Sequence, residues 1–251
     1  MKTLCVHMLE GIPEIVPGTQ LGPVIHQSIT QNGLILCPND VLVIKSKIVS
    51  KAEGCLFRKS DLEPSRFARQ IAKTVGRPPE YIELVLHQSK SVVKMAPGVL
   101  ICQTHHGFVL ANAGVDATNT GKEDLYAALP SNPDASAREI GLYLAKVCGV
   151  QPAVIISDTF GRAWRTGQTD LAIGIFGMDA LRDETMNGRD REGRPLYYTK
   201  SAVADELAGA AELLGGKDKA LPVALIRGFP YTSADGSARA LIYPPEEDLF
   251  L

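Results

Sequence analysis

Short β-branched segments alternate along the chain with segments of helical periodicity, and this alternation constrains the fold more than any other feature of the sequence. The predicted strands are Leu4–Met8, Asp40–Lys45, Val99–Thr104, Phe108–Ala111, Ala153–Ser157, Asp170–Phe176 and Pro222–Arg227. Two of them, within Val99–Ala111, form a predicted hairpin whose turn contains His105, His106 and Gly107. The alternation therefore predicts a mixed α and β fold.

Helical patterns occupy several of the intervening segments. Helices are predicted over Ser65–Val75 and Glu80–Ser89, and another begins at the capping box Ser136-Ala-Arg-Glu139. A fourth helix starts near Val203 and stops at Gly215-Gly216. The charged, glycine-rich stretch Arg182–Pro195 is predicted to be a long loop or hairpin.

Composition excludes several classes of protein. Of the 251 residues, 45% are apolar and 22% are charged, which is typical of a folded enzyme and not of a disordered chain. A net charge of -2 gives no overall field to attract nucleic acid or anionic membrane. An odd number of cysteines and the lack of a long apolar run favour a cytoplasmic protein.

The polar loops that follow the predicted strands are the best candidates for a site. These loops are Lys45–Lys51, Asn112–Asn119, Ser157–Arg162 and Arg227-Gly228. Neither G-x-G-x-x-G after a strand nor G-x-x-x-x-G-K-[ST] occurs, so any nucleotide site must be of another type. The mixture of carboxylates, hydroxyls, lysines and arginines suits metal-bridged phosphates.

Two acidic loops could bind a hard cation. Asp158 could supply a carboxylate and Thr159 a hydroxyl oxygen, and Asp116 with Asn119 could meet a metal and a nucleotide. For either loop taken alone, an Asx turn with a purely structural role is the more common explanation.

The basic residues also have both a functional and a structural explanation. Lys47 and Lys51 could contact phosphate oxygens, or they could protect an edge strand. Arg162 and Arg165 could grip phosphate or carboxylate, with Trp164 packed beneath their loop. The sequence Gly215-Gly216-Lys217 could cradle phosphate or simply end a helix.

Taken together and in order, these stretches resemble the coenzyme F420-0:L-glutamate ligase family. The matching blocks are Gly11–Ile15, Ile48–Gly54, Ala111–Asn119, Ile156–Arg162, Trp164–Gly174, Ala202–Glu206 and Pro222–Gly228. They run through nearly the whole chain, and the ordered set is far more specific than any single block.

The resemblance implies an α+β fold with two lobes instead of a standard Rossmann sheet. The chain would be a single ligase unit with interleaved lobes, about 1–90 with 180–251, and about 91–179. Its implied activity is the GTP-dependent addition of L-glutamate to coenzyme F420-0, with further γ-linked glutamates possible. Two divalent metals (Mg²⁺ or Mn²⁺), a monovalent cation (K⁺) and a homodimer are also implied.

The resemblance also assigns residues by position. Those expected to contact GTP are Ile12, Pro13, Glu14, Ile15, Ser46, Lys47, Lys51 and Asn119, together with the loop from Gly215 through Gly216 and Lys217. Asp116 and Asp158 would hold one metal, and Thr159 the other. Arg162, Arg165 and Arg227 are candidates for binding the substrate.

The chain departs from its archaeal relatives at Lys217, where they carry an acid or amide that helps to bind the second metal. An ammonium group cannot ligate a cation, so Lys217 would contact phosphate or the second metal would lose a ligand. The pattern Leu-Leu-Gly-Gly-Lys is more similar to the ligase half of the actinobacterial two-domain enzyme, whose second activity is not expected here. The alternatives are an amide ligase with another acceptor and a non-catalytic nucleotide-binding homologue.

Overall fold

The structure of the chain, a computed structural model, describes residues 2–185, 187–216, 218–244 and 246–248. Its strands are β1 (Cys5–Met8), β2 (Val41–Lys45), β3 (Leu56–Arg58), β4 (Ser89–Ala96), β5 (Val99–Thr104), β6 (Val109–Ala111), β7 (Leu125–Ala127), β8 (Ala153–Arg162), β9 (Arg165–Phe176), β10 (Arg182–Asp183), β11 (Lys200–Ser201) and β12 (Val223–Arg227). Its α-helices are α1 (Leu21–Gln31), α2 (Ser46–Ala52), α3 (Arg66–Val75), α4 (Pro79–His87), α5 (Pro133–Cys148) and α6 (Val203–Glu212). Short 3₁₀ segments lie at Lys59–Asp61, Asn112–Gly114 and Ala238–Leu241.

A five-stranded mixed sheet with the order β1-β12-β2-β8-β9 forms the centre of the fold. Only β2 and β8 pair in parallel, while their outer neighbours pair antiparallel. Because β1 and β2 are each antiparallel to β12, the strands β1, β2 and β8 all run in the same direction. The edge where these three strands finish is called the C-terminal edge below. This arrangement confirms the predicted α+β fold and is not a Rossmann sheet.

Buried apolar side chains form two clusters. The larger cluster contains the central sheet together with α1, α5 and α6, and the smaller contains residues of α3, α4, β5 and β7. The smaller cluster draws its buried residues from positions 68–126, which differs from the lobe boundaries expected near 90 and 180. Apolar clusters alone do not define lobes, so the predicted division of the chain stays a prediction.

Helix α5 packs closely on β9 and begins earlier than the sequence pattern indicates. Its first residue is Pro133, and the Asn132 side chain caps it by accepting a hydrogen bond from the Ala135 amide. The predicted capping box at Ser136 is therefore wrong, because Ser136 lies in the first turn and donates to the Asn132 carbonyl. At Gly174 of β9, a Cβ atom would come within 2.5 Å of the Pro133 backbone, so only glycine permits this close packing.

Two loops predicted from polar residues are regular structure instead. The segment 46–52 is helix α2, since buried Ile48 and Val49 anchor it to the core. The segment 157–162 continues β8, which forms a long hairpin with β9. Trp164 lies at the turn of that hairpin and is 80% exposed, so its predicted packing role is wrong.

Other predictions agree with the structure. Strands β5 and β6 form the expected antiparallel hairpin around His105, His106 and Gly107. The suggestion that Lys47 and Lys51 protect an edge strand is wrong, because β2 lies between β12 and β8 and both lysines belong to α2. Within the described part of the chain, none of the helices combines the length and apolar character that a bilayer crossing requires.

Candidate active site

Helix α2 follows β2 without a connecting loop and so places its first two residues at the C-terminal edge. The Ser46 hydroxyl donates a hydrogen bond of 2.6 Å to the Asp158 carboxylate on β8. The Lys47 ammonium lies 2.8 Å from the Asp116 carboxylate. Two acids that are far apart in sequence are thus brought against consecutive residues of one helix, as the metal-site prediction requires.

Burial dominates the electrostatic environment of Asp158. Burial is the main cause that raises the pKa of this carboxyl from 3.8 to about 6. The Ser46 hydrogen bond and the charge of Lys47 oppose the rise, while Asp170 and Asp116 add to it. A cation bound beside Asp158 would favour the ionised form of this carboxyl.

The backbone of Asp116 is fixed by hydrogen bonds to a neighbouring strand. Its backbone amide and carbonyl both bond to Ala127 of β7, at 2.9 Å each. Burial raises the pKa of its carboxyl, but the ion pair with Lys47 and the hydrogen bonds from Thr118 outweigh burial and leave the pKa below its ordinary value. Asn119 follows in the left-handed region with a φ of 53°, so this acidic loop turns sharply beside α2.

A second polar group lies on the other face of β8. Asp170 of β9 has no exposed surface and accepts hydrogen bonds from Ser157 at 2.8 Å and from Thr159 at 2.9 Å. The Lys45 ammonium lies 2.5 Å from the same carboxylate and also pairs with Glu212 at the end of α6.

Alternate side chains of a strand point to opposite faces. Ser157 and Thr159 therefore face Asp170, whereas Asp158 faces Ser46. The idea that Asp158 and Thr159 share one cation is disfavoured by this geometry. The assignment of Asp158 and Thr159 to different metal ions is compatible with it and stays a prediction.

The segment that follows β1 approaches α2 at the same edge. Lys51, which is buried, lies 2.6 Å from the carboxylate of Glu14. Ile15 packs into the larger apolar cluster, and Ile12 lies partly buried against it. Of the predicted GTP contacts Ile12, Pro13, Glu14 and Ile15, Glu14 thus directly contacts a lysine of α2.

The loop after α6 also reaches this edge. Met8 is the last residue of β1, and a Cβ atom on Gly215 would lie 3.6 Å from its side chain. The Gly215 amide donates to the Ala211 carbonyl, and Gly216 has a positive φ of 85°. Lys217 lies outside the described residues, so the prediction that it contacts phosphate stays a prediction.

The three candidate arginines are dispersed. Arg162 and Arg165 are exposed near the turn of the β8–β9 hairpin, where Arg162 donates to the Thr166 carbonyl. Arg227 lies beside Asp40 at the opposite end of β2, about 17 Å along the strand from Lys45. Its guanidinium donates to both carboxylate oxygens of Asp40, at 2.8 and 2.7 Å, so its position supports a structural role and not substrate binding.

The sequence interpretation missed the buried half of the site. Lys45, Ser157, Asp170 and Glu212 are joined by hydrogen bonds and ion pairs, yet none of them was singled out. The available signal was that Lys45 and Asp170 are charged residues at the ends of apolar strands. A buried charge needs a partner, which makes such a pair recognisable in retrospect.

The oxygen donors suit a hard divalent cation. Among the described residues, no three His, Cys, Asp or Glu side chains are grouped as a complete metal site. Mg²⁺ is commonly bound through only one or two carboxylates, with substrate phosphates and water completing the shell. The carboxylates of Asp116 and Asp158, which interact with each other electrostatically, fit that pattern.

The fold and the site define an α+β protein with a mixed central sheet and an oxygen-rich polar site at one edge. A protein-family model described as F420-0:Gamma-glutamyl ligase matches residues 11–228, and the chain belongs to this family.

Three relatives share the name "Coenzyme F420:L-glutamate ligase". The protein from Methanothermobacter thermautotrophicus is 38% identical over 245 residues, which cover 96% of each chain. That from Methanocaldococcus jannaschii is 40% identical over 212 residues, covering 84% of each chain, and that from Methanopyrus kandleri is 38% identical over 250 residues, covering 96% of each. These names do not mention a two-domain protein, so the closer likeness to the actinobacterial ligase half stays a prediction.

Proposed function

We propose that the chain is a GTP-dependent ligase that joins L-glutamate to coenzyme F420-0 and releases GDP and phosphate. The family and the names of the relatives support the ligase activity and both substrates. The observation that carries the GTP-dependent mechanism is the meeting of Asp116 and Asp158 at Lys47 and Ser46. Carboxylates, hydroxyls and lysines gathered at one edge are the groups that phosphoryl transfer requires.

The proposed reaction has two steps. In the first, a carboxylate oxygen of F420-0 attacks the γ-phosphorus of GTP, the bond to the β-phosphate oxygen breaks, and GDP leaves. In the second, the amine of glutamate attacks the acyl carbon, a C–N bond forms, and phosphate leaves with the acyl oxygen while the amine loses a proton. Repetition of this cycle on the product would add further γ-linked glutamates.

The side chains at the C-terminal edge have different roles in the proposed reaction. Lys47, Lys51 and Ser46 bind the phosphates of GTP, and Asn119 contacts the nucleotide. Phosphate would replace Asp116 as the partner of Lys47 and Glu14 as the partner of Lys51, since the side chains of these two acids are partly exposed to solvent. Arg162 and Arg165 are proposed to hold substrate carboxylates.

Asp116 and Asp158 would hold one divalent metal, and Thr159 the other, and these ions neutralise charge on the transferring phosphoryl group when bound. Mg²⁺ and Mn²⁺ both suit oxygen donors of this kind. A monovalent cation such as K⁺ and a homodimeric assembly form part of the proposal on the resemblance alone.

The substitution Asp158→Asn tests the proposal. Loss of this anionic ligand should lower turnover by at least about 100-fold, since it removes several kcal/mol of charge stabilisation. The measurement is release of phosphate from GTP in the presence of F420-0 and glutamate, with mass spectrometry of the acceptor.

Asp61→Asn provides the control, because Asp61 is an exposed residue of the 3₁₀ segment Lys59–Asp61. The control should retain wild-type turnover, and circular dichroism should show both variants folded. Wild-type turnover in Asp158→Asn would contradict the role of Asp158. Phosphate release with another acceptor but none with F420-0 would contradict the proposed substrate and favour the alternative amide ligase.

A further inference from the structure

We infer that Asp170 is a positioning residue of the proposed site, whose buried carboxylate fixes β2 to β8 and thereby sets where Asp158 and Thr159 present their oxygen atoms. This inference rests on the proposed function, since it concerns the same reaction. It adds a residue that touches neither nucleotide nor acceptor in the proposed arrangement.

The first step of the argument concerns the contacts of Asp170. Its carboxylate has no exposed surface, yet both of its oxygens are occupied. One accepts from Thr159, and the other accepts from Ser157 and from Lys45. A buried carboxylate with three donors is well compensated, so it can remain in place as a fixed anchor.

The second step concerns what these three donors have in common. Lys45 is the last residue of β2 and precedes Ser46, which bonds to Asp158. Ser157 and Thr159 flank Asp158 on β8. Ser46 and Asp158 therefore each have a chain neighbour that donates a hydrogen bond to Asp170. These bonds lie on the opposite face of the sheet from the Ser46–Asp158 contact.

The third step concerns the local irregularity of the sheet. The pairing of β8 with β9 shifts register between Ile156 and Ser157, immediately before the acidic residue. A bulge redirects side chains and weakens the ladder locally. The bonds from Ser157 and Thr159 to Asp170 supply side-chain connections at the place where the backbone ladder is disturbed.

The last step connects this anchor to α6. Lys45 bonds to Glu212 as well as to Asp170, and Glu212 is the final residue of α6 before the loop that leads to Gly215. The carboxylate of Asp170 thus orders both the strands that carry the proposed metal ligands and the helix end that carries the nucleotide loop. Outer residues that orient ligands typically affect metal affinity or activity by 10- to 100-fold.

The test compares Asp170→Asn with Asp40→Asn. Asp40 is a matched control because it also has no exposed surface, also pairs with a cation on a neighbouring strand, and lies at the opposite end of β2. The readout is binding of Mn²⁺ in the presence of GDP, measured by electron paramagnetic resonance, together with kcat and KM for GTP. Thermal unfolding of both variants records the purely structural cost.

Both variants should unfold at a lower temperature than the wild type. Only Asp170→Asn should weaken Mn²⁺ binding and lower kcat, each by about 10- to 100-fold. Equal Mn²⁺ affinity and kcat in Asp170→Asn and the wild type would overturn the inference, as would an equal loss in the Asp40 control.

Ser157→Ala provides a second route if Asp170→Asn does not fold. Its hydroxyl contacts Asp170 and is not a proposed ligand, so its loss should weaken Mn²⁺ binding in the same direction by a smaller factor. An unchanged Mn²⁺ affinity in Ser157→Ala would also count against the inference. If the wild type itself bound neither Mn²⁺ nor GDP, the proposed function would fail first, and the two failures are thereby distinguished.

Discussion

At the scale of single residues, the site contains two carboxylates with opposite electrostatic environments. Asp116 is neutralised by Lys47 and has a lowered pKa, whereas Asp158 has a pKa of about 6 because burial outweighs its favourable contacts. The ionised form of Asp158 therefore costs the folded protein free energy unless a cation is added. Residues under such strain are typical of functional sites.

This difference predicts a pH-dependent stability. As the pH rises from 3.8 to about 6, Asp158 ionises in the unfolded chain before it ionises in the folded one, so the free energy of unfolding falls. Asp158→Asn removes this cost, and the metal-free variant should be more stable than the wild type by about 1–3 kcal/mol at pH 7. Denaturant unfolding in a chelator at pH 7 and pH 4 measures the difference, which should shrink to below about 1 kcal/mol at pH 4.

Asp116→Asn serves as the opposite control. Its lowered pKa stabilises the folded state above the ordinary pKa of an aspartate and loses that effect as the pH falls. The variant should therefore be less stable than the wild type at pH 7. A gain in stability for both variants, or for neither, would show that the electrostatic description of the two acids is wrong.

Several of these residues could be predicted from the sequence, and others could not. Asp116 and Asp158 follow short apolar runs of the sequence, which made them candidates for a polar site, although Asp158 itself lies within β8. Asp170 was not, because its importance depends on the register that sets it opposite Thr159. Arg227 was placed in the site because it follows an apolar strand, but that strand runs antiparallel to β2 and so ends at the other edge.

At the scale of elements, α2 is the part of the fold that brings the site together. Lys47 and Lys51 are one helical turn apart on this helix and reach Asp116 and Glu14. Side chains four residues apart lie on the same helix face. The helix thus presents two ammonium groups side by side to any phosphate bound at the C-terminal edge.

We expect Lys47→Met and Lys51→Met each to weaken GTP binding by about 10-fold, because each removes one charge-assisted contact with phosphate. Calorimetric titration with GTP is the measurement. Lys146→Met on α5 is the control, since Lys146 is exposed and lies near the far end of that helix. Unchanged affinity in both α2 variants would exclude this helix from the nucleotide site.

Elements were easier to predict where periodicity was clear than where it was mixed. The seven predicted strands agree with the structure to within a residue or two, except that β8 and β9 extend further into their hairpin. The strands β3, β4, β7, β10 and β11 were not predicted. Helix α2 was missed because Lys45–Lys51 continues the apolar character of β2 with Ile48 and Val49. In so short a helix, burial against the core decides the conformation, and local propensity does not.

At the scale of the whole molecule, the parallel pairing of β2 with β8 determines how the site is assembled. Between Lys45 and Ala153 the chain passes through α2, α3, α4 and α5 and contributes the entire smaller cluster. The Ser46–Asp158 hydrogen bond consequently joins residues 112 positions apart, and the Lys45–Asp170 pair joins residues 125 apart.

Contacts so distant in sequence form late in folding, because the entropy of closing the intervening chain must first be overcome. During refolding from denaturant, the helical signal in circular dichroism should therefore recover before GTP-dependent phosphate release does. Simultaneous recovery of the two signals would contradict this order. Under the proposed function, a polypeptide that has not completed the crossover between β2 and β8 would be unable to consume GTP.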